Sequence, residues 1–343
     1  MKTTTQKNKQ SRRRFLQNSG ALAAGGLLLS PKAWGFPAII DRYGKPNSMI
    51  NGVQIGVITY SFRGMNNDAE STLKYCVDSG ISAIELMGWT AEPFAGMPEN
   101  PYPWQRRRKQ EGPLTEEQKK AAAERKKGMA AYAAEVATWR ANASMEKFEQ
   151  LRKMYNEAGV SIYAWKPSAL GDKNTDAEIL YAFKAAKALG ASHVTVEIPR
   201  SAKQSKRLGK LAKKEKVNIG YHGHLQQTFT AWDKAMSQSK YNAINVDIGH
   251  YTAAGFDPLP FLEAKHEKIQ SIHLKDRQSK VNGQKNLVWG EGDTPIVEAL
   301  QTMRDNKYSF PGTIELEYKI PEGSDAVTEV QKCLEYCRKA LEG

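Results

Sequence analysis

The sequence is poor in cysteine and contains no apolar run long enough to cross a bilayer comfortably. Its three cysteines, Cys76, Cys333 and Cys337, are odd in number, and their spacing matches no metal-binding motif. This argues against a disulfide framework and against a metal held by thiolates. Because a chain of 343 residues can bury a large core without cross-links, we expect all three thiols to be ordinary packing residues.

Acidic residues are absent from the first 35 positions, which carry seven of the 13 net positive charges. They include Ser-Arg-Arg-Arg-Phe-Leu at 11–16, followed by an apolar run at 21–29 that glycines interrupt. A twin arginine before a short apolar run is typical of an export signal. We expect residues 1–35 to be a twin-arginine signal peptide and the mature protein to be periplasmic, with no stable membrane span after processing. An uncleaved membrane anchor is the alternative.

The remaining positive charge lies mostly in two basic runs, at 106–109 and 203–216. Such runs can bind nucleic acid, but they are more often solvated helix faces. We therefore expect no nucleic-acid partner and a small molecule as the ligand. The sequence leaves the oligomeric state open, and a homo-oligomer remains an alternative to a monomer.

Strand-like and helix-like segments alternate after residue 50, and no internal repeat of fixed period is visible. Strict alternation favours a parallel sheet, and eight repeats favour its closure into a barrel. We predict an α/β protein with a (β/α)8 TIM barrel over residues 50–343. The predicted strands are 53–60, 82–87, 160–165, 193–197, 217–222, 243–247, 269–275 and 312–317.

Residues 90–145 break this alternation after the second strand. A proline-rich loop is followed by a segment at 115–141 that is rich in Ala, Glu and Lys, which indicates a long helix. We predict a helical insertion into the barrel here. Its aromatic residues could form a wall for a sugar ring or simply pack the insertion on the barrel; they are Trp89, Phe94, Tyr102 and Trp104.

Two predicted strands of the C-terminal half place polar side chains on one face. Asn245 alternates with apolar residues up to Asp247, and His273 and Lys275 do the same in the next strand. Since alternate side chains of a strand point to opposite faces, these groups share one side of the sheet. Buried polar groups without partners are unfavourable, and a metal ion between the strands would satisfy them. Asp and His are ligands suited to Mn, Fe, Co or Zn.

Five consecutive predicted strands end in an acid or a histidine. These residues are Glu197, His222, Asp247, His273 and Glu317. One such residue alone is more often a capping group, but five at the end of the barrel that carries chemistry predict a metal site. Glu315 and Glu317 share a face, and Glu317 is closer to the rim. We expect Glu317 to be the ligand and Glu315 to be a structural carboxylate one layer deeper.

Four segments carry a resemblance to a known group of proteins. They are Gly-Tyr-His222-Gly-His224, Val-Asp247-Ile-Gly-His250, Ile-His273-Leu-Lys-Asp-Arg277 and Gly312-Thr-Ile-Glu-Leu-Glu317. The chain resembles the xylose isomerase-like TIM barrel superfamily, and within it the sugar phosphate isomerase/epimerase group, which includes ketose 3-epimerases and inosose dehydratase. The resemblance covers about residues 50–340. It implies a carbohydrate substrate and one divalent metal ion, usually Mn, Co or Mg, with Zn as a further candidate.

The resemblance also implies roles for individual residues. Asp247, His273 and Glu317 match three metal ligands of the family. The fourth family ligand is a glutamate that also serves as a base, but His222 stands at its position, so Glu197 is expected to supply the missing carboxylate. Glu197, His222 and Glu317 are the expected catalytic groups, and whether His222 is ligand or acid/base stays open. Expected substrate contacts are Glu85, Lys166, His224, His250, Lys275 and Arg277.

These features together predict an exported, metal-dependent sugar isomerase or epimerase that acts through an enediolate. A dehydratase or lyase of a keto-sugar or keto-inositol would share the first step and is the main alternative. Two further alternatives are less favoured: a DNA-repair endonuclease of the same superfamily, and a sugar-binding barrel without catalysis. The residues do not identify the sugar.

Overall fold

The computed structural model describes residues 44–102 and 112–343. The predicted signal peptide, Trp104 and the basic run at 106–109 lie outside the described residues. Within the described ranges the strands, in chain order, are β1 Met49–Ile50, β2 Val53–Ile58, β3 Ala83–Met87, β4 Ser161–Lys166, β5 His193–Glu197, β6 Asn218–His222, β7 Asn242–Asp247, β8 Ile269–Leu274, β9 Asp276–Arg277, β10 Asn286–Leu287 and β11 Gly312–Ile314.

Eight of these described strands form a closed parallel barrel in the order β2-β11-β8-β7-β6-β5-β4-β3, and β3 pairs with β2 to close it. The predicted (β/α)8 TIM barrel is therefore confirmed. Strand β1 adds an antiparallel edge to β2, and β9 and β10 form a separate hairpin. The largest difference from prediction is the last barrel strand, which ends at Ile314 rather than at position 317.

The helices follow the strands and cover the outside of the barrel. In the described residues they are α1 Ala69–Ser79, α2 Gly88–Phe94, α3 Glu116–Asn142, α4 Glu146–Glu157, α5 Asp176–Leu189, α6 Ala202–Glu215, α7 Asp233–Met236, α8 Ile248–Ala253, α9 Pro258–Lys265, α10 Ile296–Asp305 and α11 Ala326–Glu342. Local sequence sets their ends. Helix α5, for example, begins with a capping box at Thr175 and ends at Gly190, whose φ of 76° favours glycine.

Three helices, α2, α3 and α4, lie between β3 and β4. Helix α3 buries only Val136 and Arg140 of its own described residues, and Arg140 contacts Glu92 of α2 and Glu178 of α5. These contacts attach the carboxyl-terminal part of α3 to the barrel helices. The idea that this stretch is an insertion remains a prediction.

The barrel has an apolar outer layer and a polar interior. Ile244, Val246, Ile272 and Leu274 are fully buried, as are the neighbouring polar side chains of the opposite parity, among them Asp247. The alternation in the sequence therefore predicted the two faces correctly. The three cysteines are buried and unpaired, as expected. Among the described residues, no helix combines the length and apolar character needed to cross a membrane.

Candidate active site

Four buried side chains meet at the carboxyl-terminal end of the barrel. We call His222, Asp247, His273 and Glu315 the mouth cluster; one nitrogen or oxygen of each lies within 4.8 Å of those of the others. His222 ends β6, Asp247 ends β7 and pairs in register with His273 of β8, and Glu315 directly follows β11. Four strand ends therefore bring two imidazoles and two carboxylates together.

The position of His273 is fixed by carboxylates on both sides of its ring. Its Nε2 lies 2.8 Å from Glu85 Oε2, and its Nδ1 lies 3.0 Å from Glu315 Oε2. Burial alone would lower the pKa of His273, but the charges of Glu85 and Glu315 raise it to about 10. Metal-binding histidines commonly give their second nitrogen to such a carboxylate. Glu85 therefore suits a supporting role behind the ring. Nδ1, which contacts Glu315, faces the cluster and would release its proton when a metal ion binds.

Lys275 contributes a buried cation beside the carboxylates of the mouth. Its Nζ lies 2.6 Å from Glu315 Oε2, 2.8 Å from Asp247 Oδ2 and 3.0 Å from Glu317 Oε2. Despite these distances, Lys275 Nζ and Asp247 Oδ2 have no well-directed hydrogen bond within the part of the chain that the structure describes. Burial raises the pKa of Asp247 to about 6, even though Lys275 opposes the shift. The ammonium thus balances charge without completing the coordination of Asp247.

The mouth cluster fits a divalent cation. Its donor set of two imidazoles and two carboxylates suits Mn, Fe, Co or Zn. Asp247 presents a carboxylate oxygen without a directed partner, and His273 has a carboxylate behind it. Burial, reinforced by the charges of Lys166 and His273, lowers the pKa of His222 well below its usual range, so this ring is neutral, as a metal ligand must be. His222, Asp247, His273 and Glu315 are therefore the residues that could hold the ion.

A second group lies at the rim above this cluster. We call Lys166, Glu197 and His224 the rim group. Glu197 Oε1 lies 2.9 Å from Lys166 Nζ, and its Oε2 lies 3.3 Å from His224 Nδ1. The side chains of Glu197 and His224 are 46% and 48% exposed. Glu197 and His224 are therefore open to solvent, whereas Lys166 is half-buried and the mouth cluster is buried.

The structure separates the four residues predicted to bind metal. Asp247 and His273 lie in the mouth cluster. Glu197 lies in the rim group and forms a second set of close ligand atoms with His222 and His224. Glu317 belongs to neither set among the described residues. Strand β11 ends at Ile314, but the N–H of the next residue, Glu315, still donates to Leu274 O of β8. Glu317 lies beyond this last bond. The geometry favours His222 and Glu315 over Glu197 and Glu317 as ligands; the ligand assignment itself stays a prediction.

Besides Lys275 at the mouth carboxylates, the residues predicted to contact substrate fall into three places. Glu85 is fully buried behind His273, whereas Lys166 and His224 belong to the rim group. His250 accepts a hydrogen bond from Arg277 at Nδ1, and its Nε2 lies 3.9 Å from Glu317 Oε2. His250 Nε2 and Arg277 Nε have no hydrogen-bond partner among the described residues. Buried polar atoms left in this way are open to hydrogen bonds with a bound molecule.

Aromatic side chains also reach this end of the barrel. Trp89, which follows β3, is 43% exposed, and its ring lies 6.2 Å from that of Tyr60, which follows β2. Arg63 lies 4.4 Å above the Tyr60 ring. Trp89 was one of the aromatic residues considered for a wall beside a sugar ring, but Tyr60 was not. Its position at the end of the predicted strand 53–60 was the available signal.

Comparison with known proteins places the chain in a family. Residues 73–340 match the model of the xylose isomerase-like TIM barrel family. Because the match covers most of the 343 residues, the chain belongs to this family.

Individual relatives are more distant. An inosose dehydratase from Clostridium tetani is 29% identical over 126 residues, which are 34% of this chain and 39% of that protein. Two solved structures share the fold. One is described as a probable 3-DHS dehydratase of petrobactin synthesis from Bacillus anthracis, with a TM-score of 0.57 and 13% identity over 82% of this chain and 97% of the other. The second is a 3-keto-D-glucoside 4-epimerase from E. coli, with a TM-score of 0.55 and 11% identity over 84% and 99% of the respective chains.

Proposed function

We propose that this protein is an exported, divalent-metal-dependent enzyme that moves a proton on the carbon next to the carbonyl of a keto-sugar or related keto-polyol. Isomerisation or epimerisation is the leading outcome. The observation that carries the proposal is the mouth cluster, in which two buried imidazoles and two buried carboxylates converge and Asp247 keeps an oxygen without a directed partner. Membership of the xylose isomerase-like family supports it.

His222, Asp247, His273 and Glu315 would hold the ion. A divalent ion bound there would act as a Lewis acid on a carbonyl and a neighbouring hydroxyl of the substrate. Two further residues of the chain would control the orientation and the charge of these ligands. Glu85 orients His273 through Nε2, and Lys275 offsets the negative charge of the two buried carboxylates.

Proton transfer is assigned to Glu197 and Glu317. Their strands, β5 and β11, are diametrically opposite in the barrel, four steps apart in either direction. Carboxylates on opposite sides of the mouth can remove a proton from one face of a small substrate and return one to the other face. Lys166 and His224 contact Glu197, and Lys275 contacts Glu317, so each carboxylate has a partner that can set its orientation.

Substrate hydroxyls would be held by the partnerless polar atoms of the mouth. Arg277 can donate only, and it occupies Nδ1 of His250, so the proton of neutral His250 is on Nε2. Both groups are thus donors toward the substrate. Burial together with Lys275 and Arg277 lowers the pKa of His250, which keeps the ring neutral. Trp89, which follows β3 at the same end of the barrel, offers an exposed ring face.

Dehydration is the second candidate outcome. The observation that favours it is the sequence match to an inosose dehydratase, which spans 39% of that relative. Both outcomes begin by removing the same proton. They differ in whether the proton returns to carbon or a hydroxyl leaves as water.

Activity and metal content test the proposal together. The purified enzyme, never exposed to chelator, should contain about one divalent ion per chain. It should exchange deuterium from solvent into a member of a keto-sugar and keto-inositol panel. Glu197→Gln should abolish exchange while retaining the ion. Glu291→Gln, which changes an exposed carboxylate, is the matched control and should retain both. Metal-free protein, or exchange unaffected by Glu197→Gln, would contradict the proposal.

Export is the part of the proposal that depends on sequence alone. It is supported by Arg12 and Arg13 ahead of the apolar run at 21–29. In the native host a shortened protein should appear outside the cytoplasm, and replacing both arginines with lysine should trap the precursor. A full-length native protein in the cytoplasm would contradict it.

A further inference from the structure

A continuous line of hydrogen bonds crosses the barrel interior below the mouth cluster. We call it the core chain. It links, in order, His222 Nδ1 to Asn245 Oδ1 at 2.7 Å, Asn245 Nδ2 to Ser271 Oγ at 2.6 Å, Ser271 Oγ to His193 Nε2 at 3.0 Å, and His193 Nδ1 to Ser192 Oγ at 2.9 Å. The first four residues are at most 1% exposed, and Ser192 precedes β5 at the end of the barrel opposite to His222.

The far end of the core chain fixes the direction of its protons. Ser192 Oγ lies 3.0 Å from the backbone oxygen of Tyr163, which can only accept. The single hydroxyl proton of Ser192 therefore points to Tyr163, and Ser192 Oγ must accept a proton from His193 Nδ1. Burial lowers the pKa of His193 to about 4, so the ring is neutral and its Nε2 carries a lone pair.

The donor of each remaining hydrogen bond follows from the arrangement at Ser192. Ser271 donates its hydroxyl proton to His193 Nε2, so its oxygen is free to accept from Asn245 Nδ2. The amide of Asn245 is thereby oriented with Oδ1 toward His222. Because an amide oxygen accepts and does not donate, His222 must carry its proton on Nδ1.

Donors and acceptors could be exchanged at every hydrogen bond of the core chain except the last one, between His193 and Ser192. An exchange there would require the hydroxyl of Ser192 to turn toward His193. The Ser192 and Tyr163 oxygens would then lie 3.0 Å apart with no proton between them. Tyr163 O also accepts from Ser192 N at 2.9 Å, and the added hydroxyl bond favours one direction for the whole core chain.

We propose that Asn245, Ser271, His193 and Ser192 are positioning residues that hold His222 with its proton on Nδ1, so that Nε2 presents a lone pair to the mouth cluster. The inference deepens the proposed function and rests on it in one respect, the use of that lone pair as a metal ligand. It excludes His222 as a proton donor to the substrate and gives Nε2 the lone pair that a metal ligand needs. The tautomer is a property of the metal-free protein and can be measured without any substrate.

Histidine tautomers can be read directly by long-range ¹H–¹⁵N correlation spectra of the ¹⁵N-histidine-labelled, metal-free protein. The chain has six histidines, and His222→Gln and His193→Gln identify the two signals of interest. We expect a protonated Nδ1 and a bare Nε2 in both rings. A His222 ring protonated on Nε2 would overturn the proposal.

Breaking the core chain should free the distant ring. Ser271→Ala removes its centre, and Ser192→Ala removes the exposed end, which carries little folding risk. Each should give His222 a mixture of both tautomers. Ser161→Ala is the matched control, since Ser161 is an exposed serine one strand earlier that also donates to a backbone oxygen, Ser82 O, at 3.2 Å. It should leave the spectrum unchanged.

Metal affinity supplies the second readout. Loss of a partner behind a metal ligand commonly weakens binding about 10–100-fold, and we expect this loss in Mn²⁺ affinity for Ser271→Ala. Ser192→Ala should lose less, and Ser161→Ala none. If the core-chain variants match Ser161→Ala in both spectrum and affinity, the positioning role is wrong. If the tautomer responds as expected in a protein that binds no metal, the ligand role and the proposed function fail while the core chain stands.

Discussion

Two clusters of buried acids and bases differ in how their charges are satisfied. The helix cluster consists of Arg140, Glu92 and Glu178, all at most 7% exposed. Arg140 donates from Nε and Nη2 to both oxygens of Glu92, at 2.8 and 3.1 Å, and from Nη1 to Glu178 at 3.2 Å. Thr175 and Asn174 also donate to Glu178. Each carboxylate oxygen in this cluster accepts a directed hydrogen bond.

The mouth cluster has as much buried charge but fewer directed bonds. Lys275 approaches three carboxylates at 2.6 to 3.0 Å, yet Asp247 Oδ2 keeps no directed partner among the described residues. The pKa of the acids reflects this difference. Burial raises the pKa of Asp247 to about 6, whereas hydrogen bonds to Glu178 outweigh its burial and lower its pKa. A buried ion cluster in which every charged group is hydrogen-bonded can be purely structural. A buried acid with a raised pKa and an oxygen without a directed partner is typical of a functional site.

The strongest test of this contrast is Asp247→Asn. The amide can still cap α8, where Asp247 Oδ1 accepts from His250 N at 2.7 Å, but it removes the charge of a proposed ligand. Since a bound ion would supply several kcal/mol of transition-state stabilisation, turnover should fall at least about 1,000-fold. The unfolding free energy of the metal-free protein should not fall. Asp257→Asn, at the exposed cap of α9, is the control and should leave turnover unchanged. Retained turnover in Asp247→Asn would contradict the account.

The helix cluster should respond in the reverse manner. Arg140→Met leaves Glu92 and Glu178 buried without their cation, which should lower the unfolding free energy by about 3–5 kcal/mol. Turnover per folded molecule should persist because Arg140 lies outside the mouth cluster. Chemical denaturation measures the first quantity. Lys126→Met, at an exposed site on the same helix, should change stability by less than about 0.5 kcal/mol.

Opposite pH dependences should distinguish the two carboxylates. The pKa of Asp247 rises on folding from 3.8 to about 6, so its stabilisation is complete below 3.8 and is lost as the pH rises through 6. Relative to Asp247→Asn, metal-free wild type should lose up to about 3 kcal/mol across this range. The pKa of Glu178 falls on folding, so its stabilisation is present above 4.5 and is lost as the pH drops. The unfolding free energy of wild type minus that of each variant should change with pH in opposite directions for Asp247→Asn and Glu178→Gln. The same direction of change for both would contradict the comparison.

A smaller effect is expected for Glu85→Gln. The change removes the negative charge behind His273 Nε2 but retains a hydrogen-bond acceptor. Metal affinity should fall about 10–100-fold, with little change in fold. Calorimetric titration with Mn²⁺ measures the loss. Glu263→Gln, at an exposed carboxylate, is the control, and equal affinities in the two variants would remove the supporting role of Glu85.

The fold and the general position of the site could be predicted from sequence because both depend on local patterns. Alternation of apolar and polar residues placed Asp247 and His273 inside the barrel, and the register confirms that they are neighbours. Parity could not choose between Glu315 and Glu317, since both have the same parity. The choice depends on where β11 ends, which is set by packing around the barrel.

Contacts between distant parts of the chain could not be predicted either, because they depend on how the barrel closes and not on local sequence patterns. Glu85 and His273 are 188 residues apart, and only closure of the barrel brings them to 2.8 Å. Neither strand parity nor the resemblance gave the depth of a residue along the barrel axis. The resemblance led us to expect Glu85 in contact with substrate, although the structure buries it behind a ring.

The central claim is that the mouth cluster is a metal site. The most direct measurement is a crystal structure of the Mn²⁺-loaded protein with anomalous scattering data. The account predicts one anomalous peak, bounded by His222, Asp247, His273 and Glu315, with Glu85 still bonded to His273 Nε2. A peak held by Glu197 and Glu317 instead, or no peak in crystals of active protein, would contradict it.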